Sequence, residues 1–256
     1  MFSAQLITRQ AHTLHRLVIS MDSVIWVRQG HKTVTSGERE WRIAAGSLLI
    51  APRGCVGNVT NTPPVQGPYQ ALALGFPLAL IQEAATAASA PPRPPAAKPL
   101  DWASLRPDAE LLAAIERACA TQQRPDASAR LQWLRQAELL ELLALAGVRF
   151  ATTPLSLPEQ LWQHLSTDPV QPWTLAQAAA HFACSPSTLR RKLAAGGSAF
   201  SDILREVRLE RGLGLLQTTQ QPIGLIAHEV GFASASRFAS AFRARYGFLP
   251  SVLRDK

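Results

Sequence analysis

The residue types with the most chemistry in them are three cations in a row, Arg190, Arg191 and Lys192, next to the hydroxyls of Ser185, Ser187 and Thr188. They fall in Pro186-Ser187-Thr188-Leu189-Arg190-Arg191-Lys192-Leu193, where Leu189 and Leu193 repeat at i, i+4 and mark the buried stripe of a helix. With that stripe turned inward, Ser187, Arg190 and Arg191 point outward. Arginine binds guanine O6 and N7 bidentately, the commonest specific contact to a base edge. Ser185, Thr188 and Lys192 are set for phosphate oxygens, which position a protein on DNA without reading sequence. Ahead of this helix lie Thr174-Leu175-Ala176-Gln177-Ala178-Ala179-Ala180-His181-Phe182 and a turn, Ala183-Cys184-Ser185. A helix, a short turn and a second helix lay the second helix in the major groove of DNA. The expected chemistry is ionic and hydrogen-bonded, with double-stranded DNA as the partner.

The pattern occurs twice. Pro222-Ile223-Gly224-Leu225-Ile226-Ala227-His228-Glu229-Val230 is followed by Gly231-Phe232-Ala233 and then by Ser234-Ala235-Ser236-Arg237-Phe238-Ala239-Ser240-Ala241-Phe242. Ala227 corresponds to Ala179. After the turn the offset grows by one, so Phe238 and Phe242 correspond to Leu189 and Leu193, and Ser234 and Ser236 to Ser185 and Ser187. Phe238 and Phe242 inward leave Ser236, Ala239 and Ser240 for bases, with Ser234, Arg237 and Arg243 for phosphates. With few long polar side chains, this second helix is expected to add affinity more than sequence information. An amphipathic helix from about Phe200 to Leu216 joins the units through Phe200, Ile203, Leu204, Val207 and Leu215. It holds two second helices for successive major grooves. Gly212 and Gly214 lie within it, and each glycine costs a helix about 1 kcal/mol relative to alanine. Gly212→Ala is therefore expected to stabilise the chain, unless the glycine lets two helices touch.

Residues 158–256 resemble the DNA-binding domain of AraC/XylS-type transcription regulators. The resemblance rests on Trp173-Thr174-Leu175, Ser187-Thr188-Leu189 with Arg191, Phe200, Arg208-Leu209, Leu215-Leu216, Ile226-Ala227, Gly231-Phe232, Phe238, Phe242 and Tyr246-Gly247-Phe248-Leu249-Pro250. It places the helix-turn-helix units at about 174–194 and 222–246. Gly212 departs from the family's usual alanine, and Leu193 from its common aromatic. The resemblance implies a sequence-specific DNA-binding transcription regulator, more often an activator in this family, with RNA polymerase as a partner. It also implies a cupin-like regulatory domain ahead of the DNA-binding half. Two other readings stay open: an adaptor or sensor that uses the helical domain for protein contacts, and a cupin-type enzyme fused to a DNA-binding domain.

Composition agrees with two domains. The chain has 256 residues, 47% of them hydrophobic, with a formal charge of +8 and a pI near 10.2, which favours polyanionic partners. The excess cations do not mark one half: residues 158–256 carry eleven Lys and Arg against seven Asp and Glu, and residues 1–90 carry seven against four. Cys55, Cys119 and Cys184 form no C-x-x-C pair and read as reduced thiols. The N-terminus carries no targeting pattern, and no apolar run approaches the ~18 residues of a membrane span. A cytoplasmic chain without a membrane partner is expected.

Residues 1–86 read as a cupin-like β-barrel. Val24–Val27, Lys32–Val34, Trp41–Ile43, Ser47–Ala51 and Leu72–Phe76 are short apolar runs punctuated by Gly and Pro. Arg42 to Gly54 is similar to the strand-turn-strand of cupin barrels. A Pro-rich hinge at 87–99 and a helical segment at 100–150 follow. The leucines of that segment, among them Leu131, Leu134, Leu139, Leu142 and Leu145, exceed one packing face and suggest a homodimer contact. The fold class expected is α+β multidomain, ending in an all-α domain. Leu48, Ile50, Leu72 and Leu74 are expected to line an effector pocket with Phe76, and Arg42 and Arg53 to hold the carboxylate of a small acid. The alternative is that the apolar five simply fill a core. His12 and His15, taken to precede the sheet, and His31 lack the His-x-His spacing of a cupin metal site. No metal, no other cofactor and no catalytic constellation is expected.

Overall fold

The computed structural model describes residues 2–87 and 101–254. It divides the chain into two compact units, residues 1–153 and 154–256.

In the first unit, β-strands make two sheets. One is ordered β1-β8-β3-β6-β9, from β1 (Phe2–Thr8), β3 (Ser23–Gln29), β6 (Leu48–Ala51), β8 (Tyr69–Gly75) and β9 (Ala103–Leu105). The other is ordered β2-β7-β4-β5, from β2 (His12–Val18), β4 (His31–Ser36), β5 (Arg39–Ala44) and β7 (Val56–Thr62). Gly30, at φ 81°, turns β3 of one sheet into β4 of the other, and a Cβ there would press on the Thr62 carbonyl. The expected closed barrel is thus two separate sheets. Among the described residues no ladder joins them, so β1 and β9 stay edges of one and β2 and β5 of the other.

The five-stranded sheet is covered on both faces. All four residues of β6 are buried, and side chains alternate along a strand. Leu48, Ile50, Leu72, Leu74 and Phe76 pack with Leu80, Ile81, Leu111, Ile115, Leu139 and Leu143 in one core. These partners come from α1 (Leu78–Ala87), α2 (Ala109–Gln123) and α3 (Ala129–Leu145). The intervening Leu49, Ala51, Ala71 and Ala73 are buried as well, on the opposite face by that alternation. Asp108 and Ser128 begin α2 and α3 by accepting from the Leu111 and Leu131 amides, which satisfies otherwise orphaned donors. β9, following the proline-rich stretch, pairs with β6 from Leu48↔Leu105 to Ile50↔Ala103. The hinge expected at 87–99 lies, apart from Ala87 at the end of α1, outside the described residues.

Four of these strands escape a search for apolar runs. In β7 the buried positions are Gly57, Val59 and Asn61, so only one is a large hydrophobe. His12 and His15, expected ahead of the sheet, lie within β2, where His12 pairs with Asn61 of β7.

The second unit is helical. α4 (Leu157–Ser166), α5 (Leu175–His181), α6 (Pro186–Ala195), α7 (Phe200–Thr218), α8 (Ile223–Glu229) and α9 (Ala235–Tyr246) precede a short 3-10 helix, Pro250–Leu253. Leu161, Leu165, Ala178, Ala179, Leu189, Leu193, Ile203 and Val207 form one core around the first helix pair. Around the second pair the core is aromatic. Phe238 lies 5.4 Å from Phe232 and 5.5 Å from Phe242, and Phe242 lies 4.6 Å from Tyr246. Aromatic pairs at such spacings add about 0.5–1.5 kcal/mol each beyond area burial. No helix among the described residues is long and apolar enough to cross a membrane.

Candidate nucleic-acid interface

α5 and α6 make the first helix-turn-helix. Thr174 and Gln177 close a reciprocal capping box at the start of α5. α5 ends at Phe182 in a turn where the Ala183 amide donates to the Ala180 carbonyl at 3.1 Å and the Cys184 amide to Ala179 at 3.0 Å. These are the paired bonds of a Schellman turn, whose central residue needs positive φ. Ala183 meets that need at φ 49°. Ser185 then caps α6: its Oγ accepts from the Thr188 amide at 3.2 Å and lies 2.9 Å from the hydroxyls of both Ser187 and Thr188. Leu189 and Leu193 are buried, while Ser187, Arg190, Arg191 and Lys192 are exposed. The helical stripe read from spacing is the observed one.

α8 and α9 repeat the arrangement. The Gly231 amide donates to His228 at 3.0 Å and the Phe232 amide to Ala227 at 2.8 Å, with Gly231 at φ 80°. Ala179 and Ala227, matched in sequence, are the carbonyls that close the two turns. Ser234 caps α9 through the Arg237 amide. Phe238 and Phe242 are buried, Ala239 is half-buried, and Ser236, Arg237, Ser240 and Arg243 are exposed. A shallow, open groove along α9 is lined by Ser236, Ala239, Ser240, Arg243, Ala244 and Leu249. Of these, Ala244, next to the expected Arg243, and Leu249, beyond the end of α9, were not among the residues expected from the sequence.

α7 carries both units, and of the two readings left open for Gly212 the close helix contact is the observed one. A Cβ at Gly212 would stand 2.7 Å from Phe238 Cε2 and 2.9 Å from Cζ, whereas one at Gly214 meets nothing within 4 Å. Gly212 is therefore a seat for the Phe238 ring and not a mere weak point. Glu206 pairs with Arg245. At the end of the chain's described part, the Arg254 guanidinium donates to the Leu216 carbonyl at 3.0 Å and to Gln221 at 2.8 Å, closing the C-terminal end of α7.

Of the residues expected to form an effector pocket, the apolar ones are brought together in one core, and the two arginines lie apart at different sheets. Leu48, Ile50, Leu72 and Leu74 belong to the core under α1, α2 and α3, because a sheet buried on both faces sends one alternation to the helices. Arg42 is exposed on β5, in the four-stranded sheet. Arg53 follows β6 of the other sheet, and its Nη2 donates to the Thr153 carbonyl at 3.1 Å. A polar row that the sequence did not reveal lies across the four-stranded sheet: His12, Asn61 and Lys32 pair laterally on β2, β7 and β4. All three are buried. Lys32 Nζ donates to Asn61 Oδ1 at 2.5 Å and stands 5.4 Å from the centre of the Tyr69 ring of the facing sheet. Burial pushes the Lys32 amine down to about 7. Burial also lowers the His12 imidazole, against the raising effect of its hydrogen bond to the Gln10 carbonyl and with a smaller lowering by Lys32.

With this geometry in hand, the class is defined. The chain belongs to the AraC-type transcriptional regulators: residues 4–146 match the family of AraC-type transcriptional regulator N-termini, and residues 178–256 match a helix-turn-helix domain. Among particular relatives, the helix-turn-helix half is similar to the HTH-type transcriptional regulator GadX of Escherichia coli, 36% identical over 84 residues, 33% of this chain and 31% of GadX. It is also similar to the urease operon transcriptional activator of Escherichia coli, 35% identical over 92 residues, 36% of this chain and 31% of that protein. These matches span about a third of each relative. The crystal structure of unsaturated fatty acid-bound wild-type ToxT from Vibrio cholerae shares the fold throughout, at TM-score 0.64 and 14% identity over 98% of this chain and 93% of that one. The architecture is α+β, with a sheet-bearing first unit and a helical second unit carrying the DNA-binding motif.

Proposed function

We propose that the chain is a sequence-specific transcription regulator whose α6 and α9 enter successive major grooves of one DNA face. The observation that carries this reading is the match between the two helices. Each starts at a capping serine, buries an i, i+4 apolar pair and leaves its opposite face exposed. Ser187, Arg190 and Arg191 read bases in the first groove, and Ser236, Ala239 and Ser240 meet bases in the second. Ser185, Thr188, Lys192, Ser234, Arg237 and Arg243 hold phosphates. Residues 158–256 act as the DNA-binding domain, and activation proceeds through RNA polymerase. Leu134 and Leu145, exposed on α3 at 45% and 75%, supply a homodimer contact. Selection of duplexes from a random pool, followed by footprinting, tests the reading. Two protected major-groove patches about one helical turn, 10–10.5 bp, apart are expected. Equal affinity for random DNA at matched salt would sink it.

A second proposal concerns the first unit, which on this reading senses a small carboxylic acid. The ToxT structure holds an unsaturated fatty acid. In this chain the group suited to a carboxylate is Lys32, since among the described residues its ammonium has one hydrogen-bond partner, Asn61. Arg42, exposed on β5, and Arg53, half-buried after β6, are the other candidate cations for the carboxylate. An unsaturated fatty acid that binds only the folded state must raise the melting temperature of the full chain, and Lys32→Met should remove that rise. A rise that persists unchanged in the variant would exclude Lys32.

A further inference from the structure

Arg208 sits midway along α7, half-buried, and its guanidinium works on two sides. On one side Nε donates to the Pro169 carbonyl at 3.0 Å and Nη2 to the Gln171 carbonyl at 3.1 Å. Both carbonyls belong to the loop that leads from α4 into α5, the start of the first helix-turn-helix. On the other side the group lies against the Cα of Gly231, the central residue of the turn between α8 and α9. A Cβ at Gly231 would stand 2.8 Å from Arg208 Cζ and Nε and 2.9 Å from Nη2. One planar group thus touches a fixed point of each unit.

The other anchors described for α7 each serve one unit, with Ile203 and Val207 packed in the core of the first. The Glu206–Arg245 pair and the Gly212 seat for Phe238 tie α7 to the second unit only. The Schellman turn alone accounts for the positive φ of Gly231, as Ala183 shows by adopting positive φ in the first unit. The missing side chain at 231 has the separate effect of leaving room for the guanidinium. A lysine cannot substitute, because a point ammonium on a flexible stem lacks the flat fork that meets two carbonyls and a backbone face together.

We infer that Arg208 is a positioning residue that sets the rotation of the first helix-turn-helix relative to the second, and hence the half-site spacing the protein accepts on DNA. This rests on the reading that α6 and α9 occupy two grooves at once. One base pair of insertion turns a half-site by about a tenth of a helical turn, so a rigid pair of helices must reject it and a loosened pair must tolerate it.

The test uses the full chain and three duplexes derived from a selected site: both half-sites at the selected spacing, both with one base pair inserted between them, and one half-site alone. The wild type is expected to prefer the selected spacing to the single half-site by about a hundredfold, since the second contact is intramolecular. It is expected to lose about tenfold of that on insertion. Arg208→Ala and Arg208→Lys should bind the single half-site within about twofold of wild type, lose about tenfold on the selected spacing, and show almost no insertion penalty. Circular dichroism monitors folding. Variants that keep the full spacing penalty, that lose affinity equally on all three duplexes, or that both unfold would overturn the inference in favour of a purely structural role. If the wild type itself shows no preference for two half-sites, the two-groove reading fails first, and that outcome appears before any variant is made.

Discussion

The two helix-turn-helix units share a backbone plan and fill it with opposite chemistry. The first closes its turn on Ala183 at φ 49°, fills its core with leucine and alanine, and carries Arg190, Arg191 and Lys192 on the outer face of α6. The second closes on Gly231 at φ 80° and packs a chain of rings from Phe232 through Phe238 and Phe242 to Tyr246, leaving small side chains along most of its groove. Long polar side chains read bases, whereas large inward rings hold a helix in place. On the proposed reading, this contrast gives base discrimination mainly to α6 and rigid placement mainly to α9.

The largest effect that would break this comparison is expected at Gly212. Phe238 is flanked by two further rings and cannot retreat from a methyl group 2.7 Å away. Gly212→Ala should therefore lower the stability of the second unit by about 1–3 kcal/mol, the usual cost of overpacking. A calorimetric scan reads this as a drop in Tm. A rise in Tm would mean that the ring is loosely held and that α9 is not the rigid member of the pair.

Next comes the division of labour on the DNA. Arg191→Ala should remove about 1–3 kcal/mol of discrimination at one base position. Lys192→Ala should weaken all sequences alike and reduce the salt slope by about 1. Binding titrations at several salt concentrations separate the two, and the reverse pattern would show α6 rotated about its axis. The corresponding change on α9, Ser240→Ala, should barely alter base preference in the same assay.

A smaller effect tests the turns. Ala183 occupies the left-handed region at a cost of about 1–2 kcal/mol for a residue with a Cβ. Ala183→Gly should recover about 1 kcal/mol once the extra freedom of glycine in the unfolded chain is offset. No gain in chemical denaturation would mean that the two turns differ less than their residues suggest. The smallest effect is at Gly214, where a Cβ meets open space. Gly214→Ala should gain somewhat under 1 kcal/mol from helix propensity, and measured beside Gly212→Ala it isolates the contact with Phe238 from the backbone.

The legible features were those with local periodicity. Leu189 with Leu193 and Phe238 with Phe242 are i, i+4 pairs, and the outward faces of α6 and α9 follow from them. Features that depend on which elements meet were hidden. Alternation along β6 and β8 predicts two faces, but it does not say that helices cover the face bearing Leu48, Ile50, Leu72 and Leu74. Strand pairing has no periodic signature either, so two sheets read as one barrel. Lys32 was overlooked because a charged side chain is almost never fully buried unless paired, and its partner Asn61 lies 29 positions away. Arg208 appeared only as part of a family pattern, since neither Pro169 nor Gly231 is near it in sequence.

The pairing of β1 with β8, from Phe2↔Gly75 to Thr8↔Tyr69, has a consequence in time. Translation delivers about 5–20 residues per second, so β1 waits several seconds for its partner. During that interval its backbone donors and acceptors are unpaired, and an open strand edge invites pairing with another chain. β6 likewise waits for β9 across the whole span from Ala51 to Ala103. Synthesis rate and chaperone supply therefore bear on the yield of the first unit, more than on a helical unit whose contacts form within short stretches of chain.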